Sequence, residues 1–393
     1  MLRDMNWYIW LCGGAVPFLL SMILVFWVHP YVVRIATSRG LTDNPDARKL
    51  QQRPVPVLGG VAVFFGIVVG AGVTSMFFNS HALFTSIVAI TVMMYIGVLD
   101  DMLGLTPILR LILEFLFIAF VAWMDQVNIN DLHGVFGIGM LPVYLSAPLC
   151  IIAGLGIINA INMIDGVDGL ASGFCVMACG VFGFAFWMSY DGTMAVLAAL
   201  TAGALIPFFF HNVFGKESKM FIGDAGSLMM GMIMTIFVMH ILDHGSRVSV
   251  NFTNMGVVAF VLSVLSVPVF DTLRVMTGRI VRGVSPFHAD RSHLHHLFIE
   301  MGFSHVGTAV SVISIDFFTI LCWLASYQLG ASPTVQLLVV IGLGLLNTSV
   351  FYYVVRRLKH DSMPYRMLAW LARKSHVETG PMFHRIRKLM DRM

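Results

Sequence analysis

The chain has 393 residues, of which 58% are hydrophobic and only 11% are charged, and its formal net charge is +3. Soluble globular domains average about 45–50% apolar and about 25% charged residues, and the mean hydropathy here is +0.84. These values exclude an ordinary soluble domain and indicate an integral membrane protein.

Apolar runs long enough to cross a bilayer as helices, about 17–25 residues each, recur along the whole chain. Eleven are predicted, near residues 8–29, 57–78, 82–99, 107–124, 145–162, 170–189, 193–212, 227–242, 255–276, 306–327 and 334–355. Helices are expected because a helix satisfies its own backbone hydrogen bonds in lipid. The predicted fold is therefore an all-α, polytopic membrane domain over residues 1–355, followed by a basic cytoplasmic tail over residues 356–393.

The distribution of basic residues predicts the orientation of the spans. Only Arg3 and Arg247 fall on one side of the predicted membrane, and the other Lys and Arg lie in or beside the opposite loops and in the tail. Because cytoplasmic loops carry an excess of Lys and Arg, the N-terminus is predicted to face out and the C-terminus in. Most of the polar motifs described below then lie at the cytoplasmic face, where one site built from several loops is expected.

The first predicted cytoplasmic loop, GLTDNPDARKLQQRPVPVLGG, places Lys49 ahead of Gly59 and Gly60. Basic residues beside a glycine pair suit an anionic ligand, because glycine permits close backbone approach. The same residues can also serve only to fix the topology, and the loop by itself does not separate these alternatives.

Two adjacent carboxylates, Asp100 and Asp101, stand where the third predicted span meets water, and Arg110 lies just inside the next span. Neighbouring like charges stay ionised together only when a cation or a basic group offsets them. A divalent metal ion does this well. An ordinary solvated turn is the alternative, since Gly104 and Pro107 are residues typical of turns.

The stretch INMIDGVDGL interrupts an apolar region with Asn162, Asp165 and Asp168. Amide and carboxylate oxygens are the ligands that Mg²⁺ prefers, and a single helix N-cap would not require so many polar residues. FIGDAGS places Asp224 at the start of another predicted span, where glycine and serine can receive an anion or cap the helix.

A histidine-rich stretch, SPFHADRSHLHHLF, carries Arg291, His293, His295 and His296. The sequence lacks the H-E-x-x-H pattern and the cysteine set of zinc sites. An arginine among histidines is better suited to binding phosphate through charge-assisted hydrogen bonds. The stretch therefore predicts a phosphate-binding site, and a solvated loop is the alternative.

These motifs, in this order, resemble those of the polyprenyl-phosphate N-acetylhexosamine-1-phosphate transferases. The resemblance extends from GLTDNP at residue 41 to HLHHLF at residue 298 and rests on NAINMIDGVDGL, FIGDAGS and DRSHLHH. The H-L-H-H pattern is similar to the branch that uses UDP-N-acetylglucosamine. The resemblance implies transfer of N-acetylglucosamine 1-phosphate to a polyprenyl phosphate such as undecaprenyl phosphate, with release of UMP, to initiate a cell-surface polysaccharide at the bacterial inner membrane.

The resemblance also implies roles for the candidate residues. Mg²⁺, with Mn²⁺ as an alternative, would be held by Asn162 and Asp224. The catalytic carboxylates would be Asp100, Asp101 and Asp165, with Asp100 or Asp101 orienting the lipid phosphate or accepting its proton. The substrate-binding residues would be Asp168, Arg291, His293, His295 and His296 for the donor, and Lys49 and Arg110 for the lipid phosphate.

One position departs from the resemblance, and some questions stay open. Related initiators often carry D-D-x-x-D, whereas the third acidic position here is Gly104, to which no role is given. Another UDP-N-acetylhexosamine would need only small changes in the pocket, worth about 1–3 kcal/mol. A proton-coupled transporter is the rival class, but transporters place such residues near the membrane midplane on paired repeats. No nucleic-acid partner is expected, and a homodimer is an open alternative.

Overall fold

A computed structural model describes residues 11–43, 54–76, 80–288 and 290–392 of the chain. The chain is mostly helical there, as the sequence predicts. Its α-helices are α1 Val16–Ser38, α2 Gly59–Thr74, α3 His81–Leu103, α4 Pro107–Met124, α5 Val143–Met163, α6 Leu170–Met188, α7 Gly192–Phe214, α8 Gly223–Leu242, α9 Arg247–Asn251, α10 Val257–Val264, α11 Ser266–Val281, α12 Leu294–Glu300, α13 His305–Gln328, α14 Pro333–Leu345, α15 Phe351–Arg357, α16 Met363–Lys374 and α17 Pro381–Met390.

The apolar helices coincide with the predicted spans. Among the described residues, nine helical segments are long and apolar enough to cross a membrane, or ten if the bent pair α10–α11 forms one span. The second predicted span corresponds to α2, which is apolar but has only 16 residues. A polytopic helical membrane protein is confirmed, whereas the predicted number of eleven spans and the orientation of the termini stay predictions.

The ninth predicted span, near residues 255–276, is broken in the structure. Helices α10 and α11 meet at an angle of 76°. The carboxylate of Asp316 in α13 accepts hydrogen bonds from Ser266 Oγ at 2.8 Å and from the backbone N–H of Val267 at 2.7 Å. Since the first N–H groups of a helix lack partners within it, Asp316 satisfies the backbone at this break.

Helix α8 is the central helix of the bundle and is almost entirely buried. Two glycines let neighbouring helices approach it closely. A Cβ atom built on Gly97 of α3 would lie 2.3 Å from Ala225 Cα, and one on Gly231 would lie 2.6 Å from Ile158 Cα of α5. The Gly97 contact holds the first turn of α8 against the end of α3, which is where the polar motifs of both helices lie, and the Gly231 contact holds α8 against α5.

The described residues also form four short strands, which the all-α prediction did not include. Strands β1 Thr42–Asp43 and β2 Val55–Pro56 pair antiparallel, as do β3 Asp131–Val135 and β4 Ile138–Met140. The predicted tail carries the two amphipathic helices α16 and α17. The domain boundary at residue 355 stays a prediction.

Candidate active site

A pocket of about 770 Å³ opens where the ends of α3, α5 and α7 and the start of α8 meet. It lies between chain segments that are far apart in sequence. Six of the residues predicted for the site line it: Asp101, Asn162, Asp165, Asp168, Asp224 and His296. Three separate motifs of the transmembrane region and one of the histidines therefore share one cavity.

The two adjacent carboxylates of α3 have different surroundings. Asp101 lies in the pocket and accepts the backbone N–H groups of Asp224 at 3.0 Å and Ala225 at 3.2 Å. It thus caps the start of α8 and fixes the position of Asp224. Gly223 permits this contact, because its φ of +69° suits glycine and a Cβ there would lie 2.6 Å from Asp101 Oδ2.

Asp100 points to a separate network outside the pocket lining. Its carboxylate accepts the backbone N–H of Leu105 at 2.7 Å and a bond from Arg110 Nη1 at 3.2 Å. Arg110 Nη2 also donates to Asn159 Oδ1 at 3.3 Å, and Asn159 Nδ2 donates to the fully buried Glu114 at 2.6 Å. Arg110 and Asp100 therefore hold each other, and neither lines the pocket. Sequence reasoning missed Glu114, although a carboxylate inside an apolar span is itself a signal.

Asn162 and Asp224, the predicted metal ligands, lie side by side. Asn162 Nδ2 donates to Asp224 Oδ1 at 2.6 Å and to Ser227 Oγ at 2.8 Å. Both donated bonds use the amide nitrogen, so the amide oxygen of Asn162 is the atom that can ligate a cation. Mg²⁺ is commonly held by one or two carboxylates together with water and substrate phosphates. The described residues contain no set of three His, Cys, Asp or Glu arranged to hold a metal by themselves, and the oxygen donors present fit Mg²⁺ bound in this shared manner.

Asp165 is a further carboxyl group in a pocket that already holds several carboxylates. Burial, followed by the nearby carboxylates of Asp224, Asp101 and Asp168, raises the pKa of Asp165 to about 8. Because a bound divalent cation would favour the ionised form, this cluster is electrostatically suited to receive one.

Asp168 is the carboxylate of the pocket with cationic partners. Lys219 Nζ lies 2.6 Å and His305 Nδ1 2.8 Å from Asp168 Oδ2. Although burial opposes the charged form, the bonds from His305 and Lys219 hold the pKa of Asp168 below its usual value. Gly169 follows with a φ of +76° and donates its N–H to Asn212 Oδ1 at 2.7 Å, which ties this loop to α7. Sequence reasoning did not assign Lys219 or His305 to the site.

The three predicted histidines occupy different environments. His293 is buried, and its Nδ1 lies 2.9 Å from Asp271 Oδ2. His295 is buried against Gly166, where a Cβ would lie 2.4 Å from His295 Nε2. Only His296 of the three lines the pocket. His293 and His295 therefore stand behind the pocket wall instead of facing the cavity.

Burial and neighbouring basic side chains favour the neutral form of His295 and His296. Burial, followed by the neighbouring His293 and Arg291, lowers the pKa of His296 to about 4. Burial also lowers the pKa of His295 well below its ordinary value. At neutral pH, His296 offers one N–H donor to the pocket, and a bound anion would raise its pKa.

The remaining predictions fall at the edge of the site or beyond it. Arg291 is exposed and does not line the pocket, and Lys49 lies outside the described residues. Gly104 ends α3 with a left-handed φ of +66°. The glycine pair was predicted to admit an anion. In the structure its N–H groups are used within the protein, because Gly59 donates to the Phe221 carbonyl and Gly60 to the Ile222 carbonyl, both at 2.9 Å.

Residues 83–242 match the model of glycosyl transferase family 4. The chain is 26% identical over 294 residues to the undecaprenyl-phosphate alpha-N-acetylglucosaminyl 1-phosphate transferase of Escherichia coli K12, covering 73% of this chain and 76% of the relative. It is 29% identical over 314 residues to a probable undecaprenyl-phosphate N-acetylglucosaminyl 1-phosphate transferase of Bacillus subtilis 168, covering 77% and 82%. The family model and these relatives indicate a membrane enzyme of the sugar-1-phosphate transferase class.

Proposed function

We propose that this protein transfers N-acetylglucosamine 1-phosphate from UDP-N-acetylglucosamine to a polyprenyl phosphate, with undecaprenyl phosphate as the acceptor. The products are polyprenyl-diphospho-N-acetylglucosamine and UMP. The observation that carries the proposal is the pocket itself, where Asp101, Asp165 and Asp224 lie in one cavity with the cationic Lys219. Phosphoryl transfer needs such an arrangement, because charge develops on oxygens that a cation and basic groups must offset.

In the reaction, an oxygen of the lipid phosphate attacks the sugar-bearing phosphorus of the donor. The new O–P bond forms as the bond between that phosphorus and the bridging oxygen breaks, and the electron pair leaves with UMP. A phosphate monoester loses its second proton near pH 6, so the acceptor needs at most a weak base. Direct attack is therefore preferred over a covalent enzyme intermediate.

Each residue of the pocket has a proposed task. Asn162 and Asp224 would hold Mg²⁺, which when bound supplies charge neutralisation to the diphosphate. Asp101 fixes Asp224 through the start of α8, and Asp165 completes the anionic wall. Lys219, positioned by Asp168, faces the donor.

The histidine and arginine residues outside the pocket lining have supporting tasks in this proposal. His296 would donate its N–H to a donor phosphate, and the buried His293 and His295 would support its position. The Arg110–Asp100 pair would border the path of the lipid phosphate. The cytoplasmic location of the pocket and the inner-membrane setting belong to the same proposal, which is supported by the Lys and Arg residues in the loops on the side of the pocket, since cytoplasmic loops carry an excess of these residues.

The test uses purified protein in detergent with undecaprenyl phosphate, Mg²⁺ and a panel of UDP-sugars: UDP-N-acetylglucosamine, UDP-N-acetylgalactosamine and UDP-glucose. We expect lipid-linked sugar and UMP in equal amounts from UDP-N-acetylglucosamine. Turnover with UDP-N-acetylgalactosamine alone would assign the same chemistry to another sugar. Absence of UMP release with every donor would refute the proposal.

The metal is tested in the same assay. EDTA is expected to stop turnover and added Mg²⁺ to restore it, whereas a zinc-selective chelator should leave the enzyme active. Loss of activity with the zinc chelator, together with one zinc atom per chain that depends on His293, His295 and His296, would contradict the Mg²⁺ assignment and the phosphate role of His296.

A further inference from the structure

The C-terminal tail is hydrogen-bonded at two points to loops around the pocket. Asp391, which follows α17, accepts the backbone N–H groups of Lys216, Glu217 and Ser218 at 2.9, 3.0 and 3.1 Å. After α16, Ser375 Oγ accepts the N–H of Ser304 at 3.0 Å, and Ser304 Oγ donates to the Ser375 carbonyl at 2.7 Å. Helix α17 is thus held at a defined position next to the loop between α7 and α8.

Helix α17 contributes directly to the wall of the pocket. Phe383 is buried, and its ring centroid lies 4.8 Å from that of Phe214 at the end of α7. Arg387, one turn further along, donates from Nε to the Phe214 carbonyl at 3.3 Å. Phe383 and Arg387 both line the pocket, together with Glu378 just before the helix. None of these residues lies in the segment 83–242 that matches the family model.

Among the described residues, Arg387 differs from Lys219, the other basic residue of the pocket lining with a lysine or arginine side chain, in having no ion-pair partner. Within the part of the chain that the structure describes, Lys219 and Arg387 are the lysine and arginine residues lining the pocket, and Lys219 is ion-paired with Asp168. Arg387 forms no ion pair with a described carboxylate, although the residue is partly buried. A partly desolvated guanidinium next to a cavity attracts a phosphate strongly, because its planar donors match phosphate oxygens.

We propose that Arg387 binds a phosphate of the nucleotide donor and that the C-terminal helix is therefore part of the donor site. This inference rests on the proposed function. The donor is assigned instead of the lipid because Arg387 lies in the C-terminal tail and contacts Phe214, beside the loop that joins α7 and α8, and is not part of an apolar membrane-spanning helix. Asp391 is a positioning residue that seats α17 and thereby places Arg387.

The test compares Arg387→Gln with Arg385→Gln, the same change at an exposed arginine of the same helix that does not line the pocket. We expect Arg387→Gln to raise the KM for UDP-N-acetylglucosamine about ten- to a hundredfold, the loss expected for one charge-assisted hydrogen bond. The kcat and the KM for undecaprenyl phosphate should change less than about twofold. Arg387→Lys should be intermediate, because it keeps the charge but loses the planar donors.

The positioning role of Asp391 has its own readout. Asp391→Asn is expected to raise the donor KM by a smaller factor, and this effect should disappear in the Arg387→Gln background, because both changes remove the same contact. Thermal unfolding of each variant shows whether the fold is kept. An Asp391→Asn effect that is unchanged in the double variant would show that the residue does not act through Arg387.

Titration of UMP into wild type and Arg387→Gln tests the site without turnover. UMP should bind the variant at least about tenfold more weakly. Equal donor KM values for the two arginine variants, or a change confined to the lipid KM, would overturn the inference while leaving the proposed function intact. A wild type that turns over no UDP-sugar would refute the proposed function, and the UMP titration would then decide the role of Arg387 separately.

Discussion

Asp224→Asn is the sharpest test of the metal assignment. Asp224 accepts a hydrogen bond from Asn162 at 2.6 Å and faces the same cavity as Asp165. The substitution keeps the size of the side chain and one acceptor oxygen, but it removes a negative charge. Loss of one preorganised electrostatic group typically costs about 2.7–4 kcal/mol of transition-state stabilisation. At about 1.36 kcal/mol per factor of ten, we expect kcat to fall about a hundred- to a thousandfold.

The same change should have little effect on stability. A neutral hydrogen bond replaces a charge-assisted one, at a cost of about 1 kcal/mol, and relief of the repulsion between the carboxylates of Asp224 and Asp100 offsets part of this cost. The melting temperature should therefore change by less than about 2 °C.

The assay measures UMP release across an Mg²⁺ titration, with thermal unfolding of each purified variant. Asp361→Asn, the same substitution at an exposed residue before α16, is the matched control and should behave as wild type. Near-normal turnover of Asp224→Asn at ordinary Mg²⁺ would refute the metal assignment. A large loss of thermal stability would show that the residue is structural instead.

Three further predictions concern the pocket and the topology. The pKa of Asp165 is raised to about 8, so a proton competes with the cation for this carboxylate near neutral pH. The Mg²⁺ concentration for half-maximal activity should therefore fall as pH rises from 6.5 to 8.5. A half-maximal Mg²⁺ concentration that does not change with pH would contradict this prediction. Lys219→Met should lower turnover more in wild type than in the Asp168→Asn background, because in wild type it leaves the Asp168 carboxylate without its lysine partner. Additive effects in a double-mutant cycle would contradict this coupling. A cysteine at position 247 should react with a membrane-impermeant reagent from outside whole cells and a cysteine at position 291 should not, and labelling of both would overturn the orientation.

The sequence by itself determined the class of the protein and identified six of the residues that line the pocket. Composition and the lengths of the apolar runs are local properties, and they are sufficient to predict a helical membrane protein whose long helices coincide with the predicted spans. The motifs around Asp101, Asp165 and Asp224 were identifiable because carboxylates at the ends of apolar helices are costly. Their residue types indicated phosphate and metal chemistry before any contact was known.

Only the tertiary structure decided which of the candidates share the cavity. Asp100 and Asp101 are adjacent in sequence, yet successive residues of a helix point in different directions, so one binds Arg110 and the other caps α8. The histidines divide in the same way, and only His296 lines the pocket.

The partners of the site residues also depend on contacts between distant segments. Lys219 is 51 residues from Asp168, and Asp391 is 175 residues from the backbone N–H that it accepts at Lys216. No local pattern encodes such pairs, because they form only when packing of the helices brings the loops together. The sequence therefore predicted only a basic cytoplasmic tail, and its contribution to the pocket followed from the tertiary structure.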